Sequence, residues 1–169
     1  MVGAEGAPKI DIAVDPLECT NNCADDQPNS IAVLAAAPRG TLLHAPDCYM
    51  NKLAAGPALA GHVSLEGGAV YNIEQAMHVL DCEAKDVRIV ALDRERHQQL
   101  FKEINETGAQ LELLGDGDVA GAIWAAKDDG PFDMLMGVGA APEGVISATA
   151  IRGIGGVFEG RLVFRSAQE

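Results

Sequence analysis

The stretch Asp15-Pro16-Leu17-Glu18-Cys19-Thr20 sets two carboxylates three positions apart across a proline turn. Clustered carboxylates supply the oxygen ligands that hard divalent cations such as Mg²⁺ and Mn²⁺ require, so Asp15 and Glu18 are candidates to share one. The Thr20 hydroxyl would then place an attacking water or touch a transferred phosphoryl group. The competing reading is a solvated acidic turn, and spacing alone does not separate the two. A second stretch is Gly137-Val138-Gly139-Ala140-Ala141-Pro142-Glu143-Gly144. Glycines after a strand let the backbone approach a ligand, Pro142 suits the first turn of a helix, and Glu143 would face the site from that helix start. The bland alternative is an ordinary strand-to-helix turn with an acid near the positive end of the helix dipole. It is not the dinucleotide-binding GxGxxG, because Pro142 stands at the third glycine position.

Two further stretches carry polar groups after a strand. In Gly115-Asp116-Gly117-Asp118, Asp118 is expected to cap the helix that follows, whereas Asp116 is free to accept hydrogen bonds from sugar hydroxyls. In Arg94-Glu95-Arg96-His97-Gln98, two guanidinium groups and a histidine are suited to grip a phosphate, the planar fork matching its oxygens. A solvated helix start is the alternative there.

These residues need elements to hold them. Ile10 to Val14 alternates as a strand does, with Pro16 stopping it and leaving Asp15 at its C-terminal end. Ser30 to Ala37 reads as a second strand, Pro38-Arg39-Gly40 as a turn and Thr41 to His44 as a third strand, so this half is antiparallel or mixed. Residues 45 to 72 are rich in Gly, Ala and Pro and offer only short patterns. Beyond them, Ile73 to Leu80 reads as a helix and Val87 to Leu92 as a buried strand. Arg96 to Thr107 follows as an amphipathic helix, with Leu100, Phe101 and Ile104 on one face and Gly108 as its stop. Gln110 to Leu114 (strand), Asp118 to Ala126 (helix), Phe132 to Met136 (strand), Pro142 to Arg152 (helix) and Gly160 to Phe164 (strand) complete the pattern. Strands alternating with helices of this length imply crossover units and a largely parallel sheet, whose ligands lie beyond the C-terminal strand ends.

Composition narrows the partners. A chain of 169 residues, 48% apolar with 19 glycines, suits one α/β domain with its own core and no disordered character. The longest apolar run, Ile31 to Ala37, is strand-sized and far short of a membrane span. Met1 to Lys9 lacks the basic-then-apolar order of a secretory signal. Twelve basic against 25 acidic side chains give a net charge of −13, which disfavours nucleic acid and anionic membrane as partners. A sugar phosphate would be repelled too, unless local arginines, helix N-termini or bound cations reverse the field. Cys19, Cys23, Cys48 and Cys82 form no CxxC pair and read as free thiols of a reducing compartment.

The stretches above occur together and in order in one family. Asp15-Pro-Leu-Glu-Cys-Thr resembles the D-P-x-E-G-T signature of class II fructose-1,6-bisphosphatases, and Ala45-Pro-Asp-Cys-Tyr-Met-Asn-Lys-Leu resembles their A-P-D-x-Y-M-x-K segment. Leu92-Asp-Arg-Glu-Arg-His is similar to their D-R-x-R-H, Gly115-Asp-Gly-Asp-Val to their D-G-D-V, and Gly137 to Val145 to their G-I-G-x-A-P-E-G-V. The likeness runs from about Asp11 to Val163. It implies a layered α/β/α/β/α sugar phosphatase fold of the lithium-sensitive type, incomplete here at both ends. Within one phosphatase region over 1–169, residues 10–72 would form the mixed-sheet part and 73–164 the βαβ part.

By motif position Asp15, Glu18 and Glu143 would be ligands of Mn²⁺ or Mg²⁺, and Thr20 and Glu143 would take part in catalysis. Glu18, Cys19, Thr20, Tyr49, Arg96, His97, Gln98, Asp116, Gly117 and Asp118 would line the substrate. The resemblance further implies a sugar bisphosphate substrate, a homo-oligomer at full length, and a cytoplasmic (or plastid stromal) setting. Ala140-Ala141 and Gly61-His62-Val63 resemble the cyanobacterial-type subgroup that also cleaves sedoheptulose-1,7-bisphosphate. Two departures stand out. Cys19 replaces the glycine of E-G-T, and the family's chain is longer, with a lysine and more acidic ligands upstream. The 169 residues alone are therefore expected to be inactive. Two other functions compete: a catalytically dead remnant that binds sugar phosphate or a partner subunit, and an inositol-phosphate phosphatase. The A-P-E-G and A-P-D-x-Y-M segments argue against the second.

Overall fold

Apolar side chains on both faces of several strands call for helices on either side, and the chain supplies them. The computed structural model describes residues 4–166, so the first part of the Met1 to Lys9 segment lies outside the described residues. A hairpin of β1 (Ile10–Glu18) and β2 (Ile31–Pro38) forms a two-stranded antiparallel sheet, the short helix α1 (Thr20–Ala24) leaving β1. The main sheet contains β3 (Tyr49–Ala55), β4 (Arg88–Leu92), β5 (Gln110–Leu114), β6 (Met134–Ala140) and β7 (Val157–Val163). Its strand order is β5-β4-β6-β3-β7, with β4 parallel to β5 and β6, and β3 antiparallel to both its neighbours. The sheet is thus largely parallel with one reversed strand inside it.

Helices α2 (Gly68–Leu80) and α3 (Gln98–Thr107) cover one face, and α4 (Asp118–Ala126) and α5 (Ala141–Ile154) the other. Strand periodicity divides the core between them. Leu53, Ile89, Met134 and Met136 pack with Ile73, Ala76 and Ile104. Ala54, Val90 and Leu135 pack with Ala122, Ala125, Ala126 and Ile151. Ala35, with half-buried Ala13 and Val33, seats the hairpin on Val119 of α4 and Ile146 of α5. Four layers, α/β/α/β, are therefore present among the described residues. The hairpin's outward row of Ile10, Ile12, Val14 and Leu34 faces solvent. Among the described residues no helix is long and apolar enough to cross a membrane.

The structure corrects four expectations. Pro16 does not stop β1, which continues to Glu18. The register shifts between Asp15 and Glu18, so one extra residue bulges where a proline, lacking its N–H, needs no ladder partner. Thr41 to His44 is no strand: the Thr41 N–H and hydroxyl both donate to the Pro38 carbonyl, prolonging the turn. Arg96 does not open an α-helix, because Glu95–His97 forms a 3₁₀ turn and α3 begins at Gln98. Gly137 to Ala140 is not a turn after a strand but the second half of β6, paired along its length with β3. And β3 itself, in the stretch that offered no pattern, is an inner strand of the main sheet.

Candidate active site

At the bulged end of β1 the chain turns sharply. Cys19 adopts the left-handed conformation (φ 62°, ψ 52°), costly for a residue with a Cβ, and starts α1. This turn delivers Glu18 to the N-terminus of α4, where its Oε1 accepts the Val119 N–H at 3.0 Å. The expected cap, Asp118, is not used as one: Gly117 is the N-cap position and α4 has no side-chain cap of its own. Glu18 satisfies that helix end from 101 residues away. Its other oxygen, Oε2, is buried without a hydrogen-bond partner. Burial, opposed by the Val119 bond and reinforced by the nearby Asp118, Asp15 and Asp116 charges, pushes the Glu18 carboxyl up to about 7.

Glu143 stands in the first turn of α5, beside Pro142, as β6 ends. Its Oε2 is likewise buried and unpartnered. Burial raises its pKa, while its own backbone amide and the Lys52 charge work against that rise. Asp118 is committed elsewhere, its Oδ2 accepting from the Nζ of Lys52 at 2.6 Å with both side chains buried. Asp15 is half-buried and its Oδ1 accepts the Leu17 N–H at 3.0 Å.

A basic group lines the same cavity. The Arg96 guanidinium donates twice to the Val138 carbonyl, at 3.1 and 2.7 Å, and lies 4.7 Å from the centre of the Tyr49 ring. The Arg165 guanidinium is 5.0 Å from the same ring. Arg94 donates to the Gly115 carbonyl and reaches Asp116 at 3.5 Å. Together Asp15, Glu18, Cys19, Thr20, Tyr49, Arg94, Arg96, Asp116, Asp118, Gly139, Ala140 and Glu143 enclose a cavity of about 460 Å³, to which Leu17 and Leu92 add apolar wall. A larger cavity of about 690 Å³, between residues 41–43, α5 and β7, is mainly apolar and holds no carboxylate.

Three residues expected at the substrate do not line this cavity. The His97 ring is buried: Nδ1 is 2.7 Å from the Leu92 carbonyl and Nε2 accepts the Val138 N–H at 2.8 Å, so it ties β4 to β6. Those contacts assign the neutral tautomer with the proton on Nδ1, in keeping with a pKa that burial lowers. Gln98 is exposed outside the cavity. Gly117 is not among its lining residues and packs on Cys19, where a Cβ would lie 2.6 Å from the sulfur. Arg94, one of the two guanidinium groups expected to grip a phosphate, lines the cavity, and Lys52, which the sequence did not single out, lies beneath it. For Lys52 the sequence held no signal beyond the family motif.

Among the described residues no three Asp, Glu, His or Cys side chains stand close enough to form a complete cation site. What fits a hard divalent cation is the pair of buried, unpartnered carboxylate oxygens of Glu18 and Glu143, facing one cavity with Asp15 beside them. Buried polar atoms without partners are rare in folded proteins, and a cation is one thing that satisfies them. The Cys19 thiol offers no competing chemistry. Burial first, then the Glu18 charge, holds its pKa up to about 11, so it stays protonated and non-nucleophilic. Replacing Cys19 with Gly is accordingly expected to keep or raise activity, since glycine takes up the left-handed conformation freely. A large loss of turnover in that variant would instead mark a working thiol.

The whole chain, residues 1–169, matches the family model described as bacterial fructose-1,6-bisphosphatase, glpX-encoded. It is 48% identical over 166 residues to the D-fructose 1,6-bisphosphatase class 2/sedoheptulose 1,7-bisphosphatase of Prochlorococcus marinus subsp. pastoris, covering 98% of this chain and 50% of that protein. It is 48% identical over 163 residues to the protein of the same name from Prochlorococcus marinus strain MIT 9515, covering 96% and 49%. The chain spans about half the length of the curated relatives it matches. It belongs to the bacterial fructose-1,6-bisphosphatase family.

Proposed function

We propose that this member of the family hydrolyses the 1-phosphate of fructose-1,6-bisphosphate in the cavity between β1, α4 and α5, and accepts sedoheptulose-1,7-bisphosphate as well. The observation that carries the reading is that two kinds of group line one cavity. Glu18 and Glu143 each bring a carboxylate oxygen without a partner, and Arg94, Arg96 and Tyr49 line the same space. A bisphosphate has one anion for a cation held by the carboxylates and another for the guanidinium groups.

Glu18, Glu143 and Asp15 would hold Mn²⁺ or Mg²⁺, which when bound would neutralise phosphoryl oxygens and make water a better nucleophile. Thr20, on the turn after Glu18, would orient that water or a phosphoryl oxygen, and Asp116 would accept from sugar hydroxyls. Arg96 and Arg94 supply local positive charge in a chain of net charge −13. A homo-oligomer belongs to this reading, supported by the outward apolar row of the hairpin that a further layer or a second copy would cover, and a cytoplasmic setting goes with it.

The test is phosphate release by the intact protein from fructose-1,6-bisphosphate, sedoheptulose-1,7-bisphosphate and an inositol monophosphate, with Mn²⁺ or Mg²⁺. Release from the inositol ester alone, or from none with substrate still bound, would replace this reading by one of its competitors. In the same assay Arg96→Ala is expected to raise KM about 10- to 100-fold with a smaller effect on kcat, as loss of a charge-assisted contact made in ground and transition states alike. Unchanged KM and kcat would remove Arg96 from the site.

A further inference from the structure

Lys52 occupies an unusual position for a lysine. It sits in the middle of β3, an inner strand of the main sheet, and is 1% exposed. Its cross-strand partners on both sides are glycines, Gly137 on β6 and Gly160 on β7. The start of α5 presses on its stem: a Cβ on Gly144 would lie 3.3 Å from Lys52 Cε. Gly139 has no room at all, since a Cβ there would meet Asp118 Oδ2 at 1.8 Å and Lys52 Nζ at 3.0 Å. Among the described residues the ammonium has one hydrogen-bond partner, Asp118 Oδ2 at 2.6 Å. A fixed cation has therefore been built, by omission of side chains around it, under a cavity lined by five carboxylates.

We propose that Lys52 is a positioning residue of this site: it pins the Asp118 carboxylate at the cavity floor, away from the cation-binding pair Glu18 and Glu143, and offsets part of their charge. The proposal rests on the functional reading above. Held by Lys52, Asp118 keeps one geometry toward the substrate. Released, it would be a mobile buried anion next to two others, free to join them around a cation.

The consequence has a sign that a purely structural lysine would not give. Lys52→Met keeps the length of the stem and removes one positive charge from among anions, so divalent cations should bind more tightly. Turnover should nevertheless fall about 100-fold, because misplacing a group that orients substrate by about 1 Å costs that much. A lysine that only supported the fold would, when lost, weaken cation binding and turnover together.

The experiment is a Mn²⁺ titration of the intact protein followed by the electron paramagnetic resonance of free Mn²⁺, beside kcat and KM for phosphate release. Expected for Lys52→Met are a Mn²⁺ dissociation constant lowered several-fold and a kcat lowered about 100-fold. Lys52→Arg, which keeps the charge, is expected to return the Mn²⁺ affinity toward that of the parent. Unchanged or weakened Mn²⁺ binding by a folded Lys52→Met protein overturns the proposal. Should Lys52→Met not fold, Lys52→Met/Asp118→Asn removes both charges and the uncompensated anion with them. That double variant should bind Mn²⁺ as the parent does but turn over poorly, and normal turnover by it would overturn the proposal equally. If the parent releases no phosphate from fructose-1,6-bisphosphate, the functional reading fails while the Mn²⁺ titration still judges Lys52.

Discussion

Glu143→Gln should all but abolish cation-dependent phosphate release by the intact protein, lowering kcat/KM by about 10²- to 10³-fold while leaving it folded. Glutamine matches glutamate in size but brings an amide, which has no charge to offer a cation and turns one acceptor into a donor. The fold should tolerate the exchange, because Glu143 enters the α5 hydrogen-bond network through its backbone. Its carbonyl accepts the Ser147 hydroxyl at 2.9 Å. Its side-chain Oε2 contributes nothing to that network. A titration of Mn²⁺ beside the activity assay checks the cause, since affinity should fall with turnover. Normal Mn²⁺-dependent activity in the Gln variant would show that Glu143 is not a ligand.

Glu18→Gln should produce an opposite pair of effects, a more stable cation-free protein with its phosphatase activity lost. The amide oxygen can still accept the Val119 N–H, so the α4 end stays capped, while the buried charge disappears. The sign with pH follows from linkage. The folded carboxyl titrates at about 7 against 4.5 for the ordinary group, so the folded state holds more protons between these values. Stability therefore falls as pH rises through that window, and the whole loss is present above about 7. Thermal melts in EDTA at pH 5 and pH 8 should show the parent losing more on the rise in pH than Glu18→Gln. The net charge of −13 adds a background of the same sign to both proteins, so the difference between them is what counts. Equal losses in the two proteins would mean that Glu18 is not held as a costly buried charge.

The sequence made the helix-and-strand alternation after residue 73 legible because local signals there agree with each other. Gln110–Leu114 and Asp118–Ala126 begin and end where expected, bounded by glycine and aspartate turns, and Gly108 ends α3 in the left-handed conformation (φ 84°). β3 was invisible for a physical reason. Its middle carries Asn51 and Lys52, which spoil any apolar pattern, and its stability comes from ladders to β6 and β7 about 85 to 110 residues later. The same distance effect hid the capping of α4. Asp118 has the right identity and place for a cap, and only the fold reveals that Lys52 takes it and Glu18 substitutes. The cavity's carboxylates and Arg96 could be named from motifs, but motifs could not show that His97 faces inward to two backbone groups.

The candidate site straddles a seam. Asp15 and Glu18 ride on the hairpin, whereas Glu143, Asp118 and Lys52 belong to the main sheet and its helices. A two-stranded hairpin alone is marginal in water, so the part of the molecule that carries two of the three proposed ligands depends on its packing against α4 and α5 to stay in place. Whatever binds only when both halves are in place draws its affinity down by the fraction of time they are apart, and returns the same free energy as local stability when bound. Cation affinity and the closed lifetime of residues 10 to 38 are then two measures of one equilibrium. Anything that tightens the hairpin, a layer packed on its outward apolar row included, would sharpen the site without touching a single ligand.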